Sequence, residues 1–145
     1  QMSDLSDSMK NVLATTFAFY LKSHRFHWNV EGPNFSEYHD FFSKVYTETF
    51  DAIDSIAEQI RALGEYAPGS FAEFHAFSDI EDETENPPAQ QMFSTLISDN
   101  QKVMNTLNDA FDLANTENKQ GLMNFLADRL DKHSKLDWML KSFTK

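Results

Sequence analysis

Residues 24–39 read HRFHWNVEGPNFSEYH, and this stretch decides how the chain folds. Gly32 is a residue that tolerates positive φ at a helix end, and Pro33 cannot continue the helical hydrogen-bond ladder. Asn34, with Glu37 three residues later, is typical of the start of a new helix. The pattern predicts two helices joined by a short turn. Such a connection normally folds two long helices into an antiparallel hairpin.

The segments on both sides of this turn have the periodicity of long helices. From residue 5 to residue 30, apolar and aromatic side chains recur at three- and four-residue steps, which predicts the first helix. They are Leu13, Phe17, Tyr20, Leu21, His24 and Trp28. The second helix is predicted to end at about Leu63, before Gly64. His27 lies six residues before Pro33 and His39 six residues after it, so the hairpin brings both imidazoles to the same height.

Two carboxylates on the second helix suit the same metal. Asp54 and Glu58 are four residues apart, so they share a helix face. His39 and Asp54 are 15 residues apart, which is about 22 Å along a helix, so one chain cannot bring both to one ion. They are nevertheless only about 60° apart around the helix axis. If two copies of this helix pack antiparallel across a two-fold axis, His39 of one chain lies level with the carboxylates of the other, and each dimer has two identical sites.

Each of these residues also has an ordinary structural explanation. A single histidine on a half-buried helix is more often a hydrogen-bonded residue than a ligand, and an acidic pair at this spacing is most often solvated. The agreement among the four positions favours a metal site. The pair His24 and His27 also suits a zinc or a second iron, since the two share a face, but no cysteine or third ligand accompanies them.

The rest of the chain is predicted to add three more helices. Three phenylalanines spaced by three residues in 71–77 predict a short helix, in which His75 is interpreted as a surface residue. Residues 79–86 contain five acidic residues and are interpreted as a solvated connector. The run Asn86-Pro87-Pro88 is typical of a cap with proline in the first turn. A third long helix is predicted from there to about Ala114, and a fourth from near Thr116 to the chain end.

Composition is consistent with long helices and limits the metal chemistry. The 145 residues suit one domain, and 14 Phe and 6 Met against only 4 Gly and 4 Pro suit helices with few turns. There is no cysteine, which excludes disulfides, thiolate zinc sites and iron–sulfur clusters within this sequence. There is no apolar run near 18 residues and no basic-then-apolar leader, so a cytoplasmic protein without a membrane partner is expected.

The segments 24–35, His39 and 54–64 together resemble the signature of the Dps family, the DNA-protection-during-starvation mini-ferritins. The resemblance continues through 68–77 and the end of the chain at 137–143, so it covers nearly the whole sequence. It implies an all-α fold, a ferritin-like four-helix bundle with a short extra helix between the second and third helices. It also implies one domain over 1–145 and a hollow dodecamer built from two-fold dimers.

The resemblance also implies a chemistry. Dps proteins oxidise Fe(II), characteristically with hydrogen peroxide, at ferroxidase centres between two-fold-related subunits, store ferric mineral and thereby limit oxidative damage. By position, His27 and His39 match the family's histidine ligands from one subunit, and Asp54 and Glu58 match its carboxylate ligands from the partner. Trp28, next to a ligand, is expected to pack, to shelter the site or to relay electrons, with packing favoured. Iron is the expected metal, with peroxide or O2 as oxidant and no haem.

Other functions have weaker support. An intra-bundle di-iron site needs Glu-x-x-His on helices of one bundle, and no histidine here has Glu three residues before it. The main alternative is a DNA-binding, nucleoid-compacting protein with secondary iron chemistry, and behind it a helical assembly protein with vestigial ligands. DNA binding is doubtful, since the sequence has only 12 Lys and Arg residues against 23 Asp and Glu residues. The lysines of the last turns are expected to pair with a helix C-terminus; they are Lys132, Lys135, Lys141 and Lys145.

Three acidic residues are candidates for an iron entry pore. They are Glu117, Asp128 and Asp131. Asn124 stands where some Dps proteins have an acidic pore residue, which weakens this assignment.

Overall fold

In the computed structural model, which describes residues 4–145, the chain forms five α-helices and no strand. The long helices are α1 (Asp4–Asn29), α2 (Phe35–Ala62), α4 (Ala89–Thr116) and α5 (Gln120–Ser142), and α3 (Phe71–Phe77) is short. Helix α1 packs against α2, α3 and α4, and α4 packs against α5. The predicted all-α four-helix bundle with an extra short helix is confirmed. The first three residues of the predicted domain 1–145 lie outside the described residues.

In the turn between α1 and α2, the predicted positive φ of Gly32 is present, but the predicted capping hydrogen bond of Asn34 is not. Gly32 has φ +117°, a backbone conformation that residues with a side chain rarely adopt. Asn34 occupies the N-cap position, but its side chain makes no capping hydrogen bond. Instead its Nδ2 donates to the hydroxyl of Tyr38 at 3.3 Å. The turn is closed by the backbone N–H of Phe35, which donates to the carbonyl of Gly32 at 3.1 Å.

Two predicted boundaries in the second half of the chain were wrong. Pro88 is the N-cap of α4, so both prolines precede the first helical residue. Asn86 does not cap this helix; its Oδ1 accepts a hydrogen bond from Arg25 at 3.2 Å. Helix α5 begins at Gln120 rather than near 116, because α4 runs through Thr116 and the chain then turns at Asn118, which has φ +57°. Asparagine adopts this left-handed conformation more readily than most residues.

Helix α1 is apolar on two faces, and the bundle buries only one of them. The buried face includes Leu5, Met9, Val12, Leu13, Phe19 and Phe26, and Val30 directly after the helix is buried too. Of the stripe that predicted the helix, only Leu13 belongs to this face. The other members are half-buried or exposed, and Trp28 is 59% exposed. The core therefore uses a face about 110° around the helix axis from the predicted stripe. Most of the stripe is left half-buried or exposed.

The bundle interior also contains a polar layer whose members bind one another. His133 lies beside Asn100, with Nδ1 2.7 Å from the amide oxygen, and Arg129 pairs with Glu48. Lys22 and Asp99 form a second buried ion pair at 2.7 Å. Burial, and then the nearby Arg129 charge, lower the pKa of His133 to about 3, so this imidazole is neutral. None of the helices between residues 4 and 145 is long and apolar enough to cross a membrane.

Candidate metal centre

The hairpin brings His27 and His39 into direct contact. Their ring centroids are 3.7 Å apart, and the rings are inclined by only 19°. Each ring also binds the backbone of the other residue. Nδ1 of His27 lies 2.7 Å from the carbonyl oxygen of His39, and Nδ1 of His39 lies 2.7 Å from the carbonyl oxygen of His27. The predicted meeting of the two imidazoles at one height is therefore present in the chain.

These two hydrogen bonds determine which nitrogen of each ring is available. A carbonyl oxygen only accepts, so Nδ1 of each histidine must carry the hydrogen. In the neutral ring, Nε2 then has the free lone pair that a cation needs. Backbone carbonyls that hold Nδ1–H in this way are the usual means of orienting a metal-binding histidine. Both rings are half-buried, so they are held in place and remain reachable from the surface.

Asp54 and Glu58 lie on the exposed side of α2, one helical turn apart. Within the described residues, neither carboxylate forms an ion pair or a side-chain hydrogen bond. Phe50, one turn before Asp54, is 54% exposed on the same side of the helix. The two carboxylates are thus both exposed and one turn apart, next to an apolar side chain that is unusual at a surface.

One chain does not join the two pairs. Among residues 4–145, no group of three or more His, Asp or Glu side chains lies close enough to hold one ion. His27 lies in the last turn of α1 and His39 near the beginning of α2, whereas both carboxylates are in the second half of α2. Each pair by itself offers two ligands of the kinds that Fe(II) accepts, imidazole nitrogen and carboxylate oxygen.

His24 is packed into an aromatic cluster beside the histidine pair. We define this cluster as Tyr20, His24, His27, Trp28 and Tyr46. The His24 ring stacks on Tyr46 at 3.8 Å and on Trp28 at 4.0 Å between centroids, and it lies 5.8 Å from the ring of His27. Its Nδ1 is 2.9 Å from the hydroxyl of Tyr20. One nitrogen of His24 is therefore already used, which reduces its capacity to serve as a metal ligand.

Sequence reasoning assigned no role at the site to Tyr20 and Tyr46. Burial, and then the neighbouring Tyr46, raise the pKa of Tyr20. Burial, and then the neighbouring His27, lower the pKa of His24. At neutral pH the phenol thus keeps its proton and faces a neutral imidazole. The four-residue spacing of Tyr20 and His24 was a usable signal, because residues i and i+4 are neighbours on a helix.

Trp28 packs differently from what the usual burial of tryptophan predicted. It lies against His24 rather than in the core. It also lines an open groove of about 470 Å³ between α1, α3 and the acidic connector. The lining of this groove includes the apolar side chains Phe17, Leu21, Phe74 and Ile80. His75, which was interpreted as a surface residue, is exposed at the edge of the same groove.

The exposed apolar residues around the site form a surface that is typical of an interface. Leu21, Trp28, Phe35, Phe50 and Phe71 are all large and exposed in the single chain. Leu21, Trp28 and Phe71 line one groove, Phe35 stacks on His39, and Phe50 lies against Tyr20. Exposed apolar groups that lie close together usually mark a contact with another molecule. The candidate pore residues Glu117, Asp128 and Asp131 are exposed too, as is Asn124, and they are on or near α5.

The chain is similar to proteins of known fold and family over nearly its whole length. The model of the ferritin-like domain matches residues 7–145. The DNA protection during starvation protein of Brevibacillus brevis is 31% identical over 134 residues, which cover 90% of this chain and 88% of that protein. An uncharacterized low temperature-induced protein of Nostoc is 32% identical over 133 residues, 90% of this chain and 74% of that one.

Among solved structures, the Dps protein of Vibrio cholerae superimposes with a TM-score of 0.93 at 27% identity, covering 97% of this chain and 89% of that one. That protein is described as a member of a broad superfamily of ferritin-like diiron-carboxylate proteins.

Proposed function

We propose that this chain, which belongs to the Dps family of ferritin-like proteins, is a ferroxidase whose iron sites are each shared between two copies of the chain. Membership of the family makes it an iron-handling mini-ferritin. The finer proposal is that it oxidises Fe(II) with hydrogen peroxide in the cytoplasm and stores the ferric product inside a dodecamer. The observation that carries the proposal is the reciprocal bonding of His27 and His39, which frees one ligand nitrogen on each ring.

The faces of α2 support a site shared by two chains. Its buried face consists of Phe41, Phe42, Val45, Thr49, Ala52, Ile56 and Ile60. His39, Phe50 and Asp54 lie within about 60° of one another on a different face. If this face packs antiparallel against its own copy, His39 of one chain comes level with Asp54 and Glu58 of the other. The two-fold axis then crosses the helix near Tyr46 to Glu48, where the same contact covers Phe50.

The ligand set suits the oxidation of iron. Imidazole and carboxylate ligands together accept Fe(II), and four of them leave positions open for water or peroxide. The carboxylates favour the harder Fe(III) product. With four strong protein ligands, a site is expected to hold one iron tightly and a second one weakly. The net charge of −11 attracts iron cations, and hydrolysis of Fe(III) then deposits oxide inside the assembly.

The charge distribution does not favour the alternative, a DNA-compacting protein. Lys141 near the end of α5 pairs with Asp137 at 2.9 Å. Lys44, Lys132 and Lys135 line a groove of about 210 Å³ that also contains Glu48. Three lysines in one groove are few against the excess of 11 negative charges, because affinity for DNA grows with the number of phosphates neutralised.

Anaerobic loading with Fe(II), followed by addition of peroxide, tests the proposal. We expect rapid ferric absorbance from the wild-type assembly, and a rate reduced by about tenfold or more in His27→Ala and in Asp54→Ala, because each substitution removes a ligand. Asp109→Ala is the matched control, since Asp109 is an exposed aspartate of α4 outside the site. Wild-type rates in both ligand variants, or no ferric absorbance from the wild type, would overturn the proposal.

A further inference from the structure

We propose that Tyr20 is a one-electron donor to the iron site, and that its phenolic proton passes to Nδ1 of His24 when the electron leaves. This inference rests on the ferroxidase function proposed above. It assigns a role to a tyrosine that does not touch the ligands themselves. The hydrogen bond of 2.9 Å between the Tyr20 hydroxyl and Nδ1 of His24 carries it.

The aromatic cluster connects Tyr20 to the histidine pair without a gap. The ring of His27 is 5.1 Å from that of Tyr46, and Tyr46 stacks on His24 at 3.8 Å with the rings inclined by 10°. Tyr20 is 5.6 Å from His24 and 6.3 Å from Tyr46 between ring centroids. An electron that leaves Tyr20 therefore crosses only ring-to-ring contacts before it reaches a residue proposed to bind iron.

Tyr20 is better suited to this role than the other oxidisable rings of the cluster. A phenol that loses an electron becomes a strong acid, and a charged form is costly in a partly buried site unless the proton leaves with the electron. Transfer of that proton requires an acceptor within hydrogen-bond reach. Tyr20 has one in Nδ1 of His24. Among residues 4–145, no side chain offers a hydrogen-bond acceptor to the Tyr46 hydroxyl or to the indole N–H of Trp28.

The reaction itself provides a reason for such a donor. Reduction of hydrogen peroxide to water takes two electrons, and one Fe(II) supplies one. Fe(II) and peroxide then give Fe(III), hydroxide and a hydroxyl radical. An electron from Tyr20 converts that radical to a second hydroxide, leaving a tyrosyl radical and a proton on His24.

A second Fe(II) returns the electron to Tyr20, and the proton goes back from His24 to the phenol. With two protons from solvent, the sum is two Fe(II) and one peroxide giving two Fe(III) and two waters. Tyr20 would thus let a site with one tightly bound iron complete the reduction without releasing a hydroxyl radical.

Freeze-quench electron paramagnetic resonance tests this directly. The wild-type assembly, loaded anaerobically with one Fe(II) per site and mixed with one equivalent of peroxide, should show a tyrosyl radical whose hyperfine pattern collapses with ring-deuterated tyrosine. Tyr20→Phe, which removes only a hydroxyl, should lack this signal and should release several-fold more spin-trapped hydroxyl radical. His24→Gln keeps an acceptor for Tyr20 but cannot take its proton, and it should also lose the signal.

Tyr66→Phe is the matched control, because Tyr66 is 83% exposed, lies under the guanidinium of Arg61 and does not belong to the aromatic cluster. Ferric absorbance is recorded on the same samples. Two results would overturn the inference but leave the proposed ferroxidase function intact. In the first, ferric absorbance forms in the wild type without a tyrosyl signal. In the second, ferric absorbance forms and the tyrosyl signal is still present in Tyr20→Phe. If the wild type forms no ferric absorbance, the proposed function fails and this inference fails with it.

Discussion

At the scale of single residues, the five histidines differ because their neighbours differ. His27 and His39 each give Nδ1–H to a backbone carbonyl and keep a free nitrogen, whereas His24 shares Nδ1 with Tyr20. His75 is exposed, and His133 is enclosed in the bundle between Asn100 and Arg129. The same side chain thus serves as a candidate ligand, a candidate proton acceptor, a surface group and a core group. Hydrogen-bond partners and burial decide among these roles.

His133 should make the fold sensitive to acid. Its pKa in the folded chain is lowered to about 3, whereas the unfolded chain binds the proton near the ordinary value of about 6.5. The unfolded state therefore takes up more protons as pH falls below that value, and folding stability drops by up to about 1.4 kcal/mol per pH unit. In His133→Gln this contribution is absent. We expect the melting temperature to fall less between pH 7 and pH 5 in the variant than in the wild type.

The comparison is made within each protein, because His133→Gln also loses hydrogen bonds to Asn100 and Arg129 and should start out less stable at pH 7. All other titrating groups are common to both proteins. Parallel losses of melting temperature on acidification would show that His133 does not contribute to the pH dependence.

At the scale of elements, α2 has three faces with different tasks. One face packs into the core, and a second carries His39, Phe50 and Asp54. A third face meets α5 through the ion pair of Glu48 with Arg129. The turn before α2 sets the height of His39 relative to His27, because both histidines are within a few residues of Gly32. A change in this turn should therefore affect both the stability and the site.

Two glycine substitutions should have opposite effects on stability. Gly32→Ala places a Cβ in open space but at φ +117°, so its cost is backbone strain, which we expect to destabilise the chain by about 1–2 kcal/mol. Gly121→Ala also meets nothing within 4 Å, and this residue is the second of α5. Alanine favours a helix over glycine, so a gain of about 0.5 kcal/mol is expected. Urea denaturation of both variants measures the two effects, and the same sign in both would contradict the argument.

At the scale of the whole molecule, the surface of one chain is incomplete. Large apolar side chains are exposed on α1, α2 and α3, beside a histidine pair and a carboxylate pair that one chain does not join. A two-fold contact uses the same surface on both partners, so a single interface would cover the apolar groups and complete two sites at once. Because one contact would do both, we expect assembly of the chain to be required for its function.

Mixed assemblies test whether each site draws ligands from two chains. His27→Ala and Asp54→Ala subunits should each retain at most about a tenth of wild-type activity when assembled alone. A dimer with one subunit of each kind contains one site with both defects and one site with neither. Random pairing of equal amounts makes about half of the dimers mixed, so roughly a quarter of wild-type ferroxidase activity should return. Activity that stays at the single-variant background, in shells proven to contain both subunits, would mean that each site belongs to one chain.

The net charge of −11 leads to a prediction about DNA. We expect no retardation of duplex DNA by the assembled protein near physiological salt at neutral pH, because repulsion between the acidic surface and the phosphates outweighs the few clustered lysines. Electrophoretic mobility across a salt series measures this. A clear mobility shift that weakens as salt is added would instead show electrostatic DNA binding and would support the alternative, a DNA-compacting protein.

The sequence by itself determined the helical hairpin, the meeting of His27 with His39 and the pairing of Asp54 with Glu58. These features depend on helix periodicity, on the glycine and proline of the turn and on spacing along one helix, which are all local properties. The helix-start signals were less reliable: Asn34 and Asn86 make other hydrogen bonds, because Tyr38 and Arg25 are within reach of their side chains.

Only the tertiary structure decided which face of α1 is buried, since that helix is apolar on two sides and the positions of α2 and α4 select one of them. The tertiary structure also decided the roles of the histidine nitrogens and the bond between Tyr20 and His24. Spacing along the chain brings such side chains near one another. Distances between helices and side-chain rotamers then determine which atoms bind.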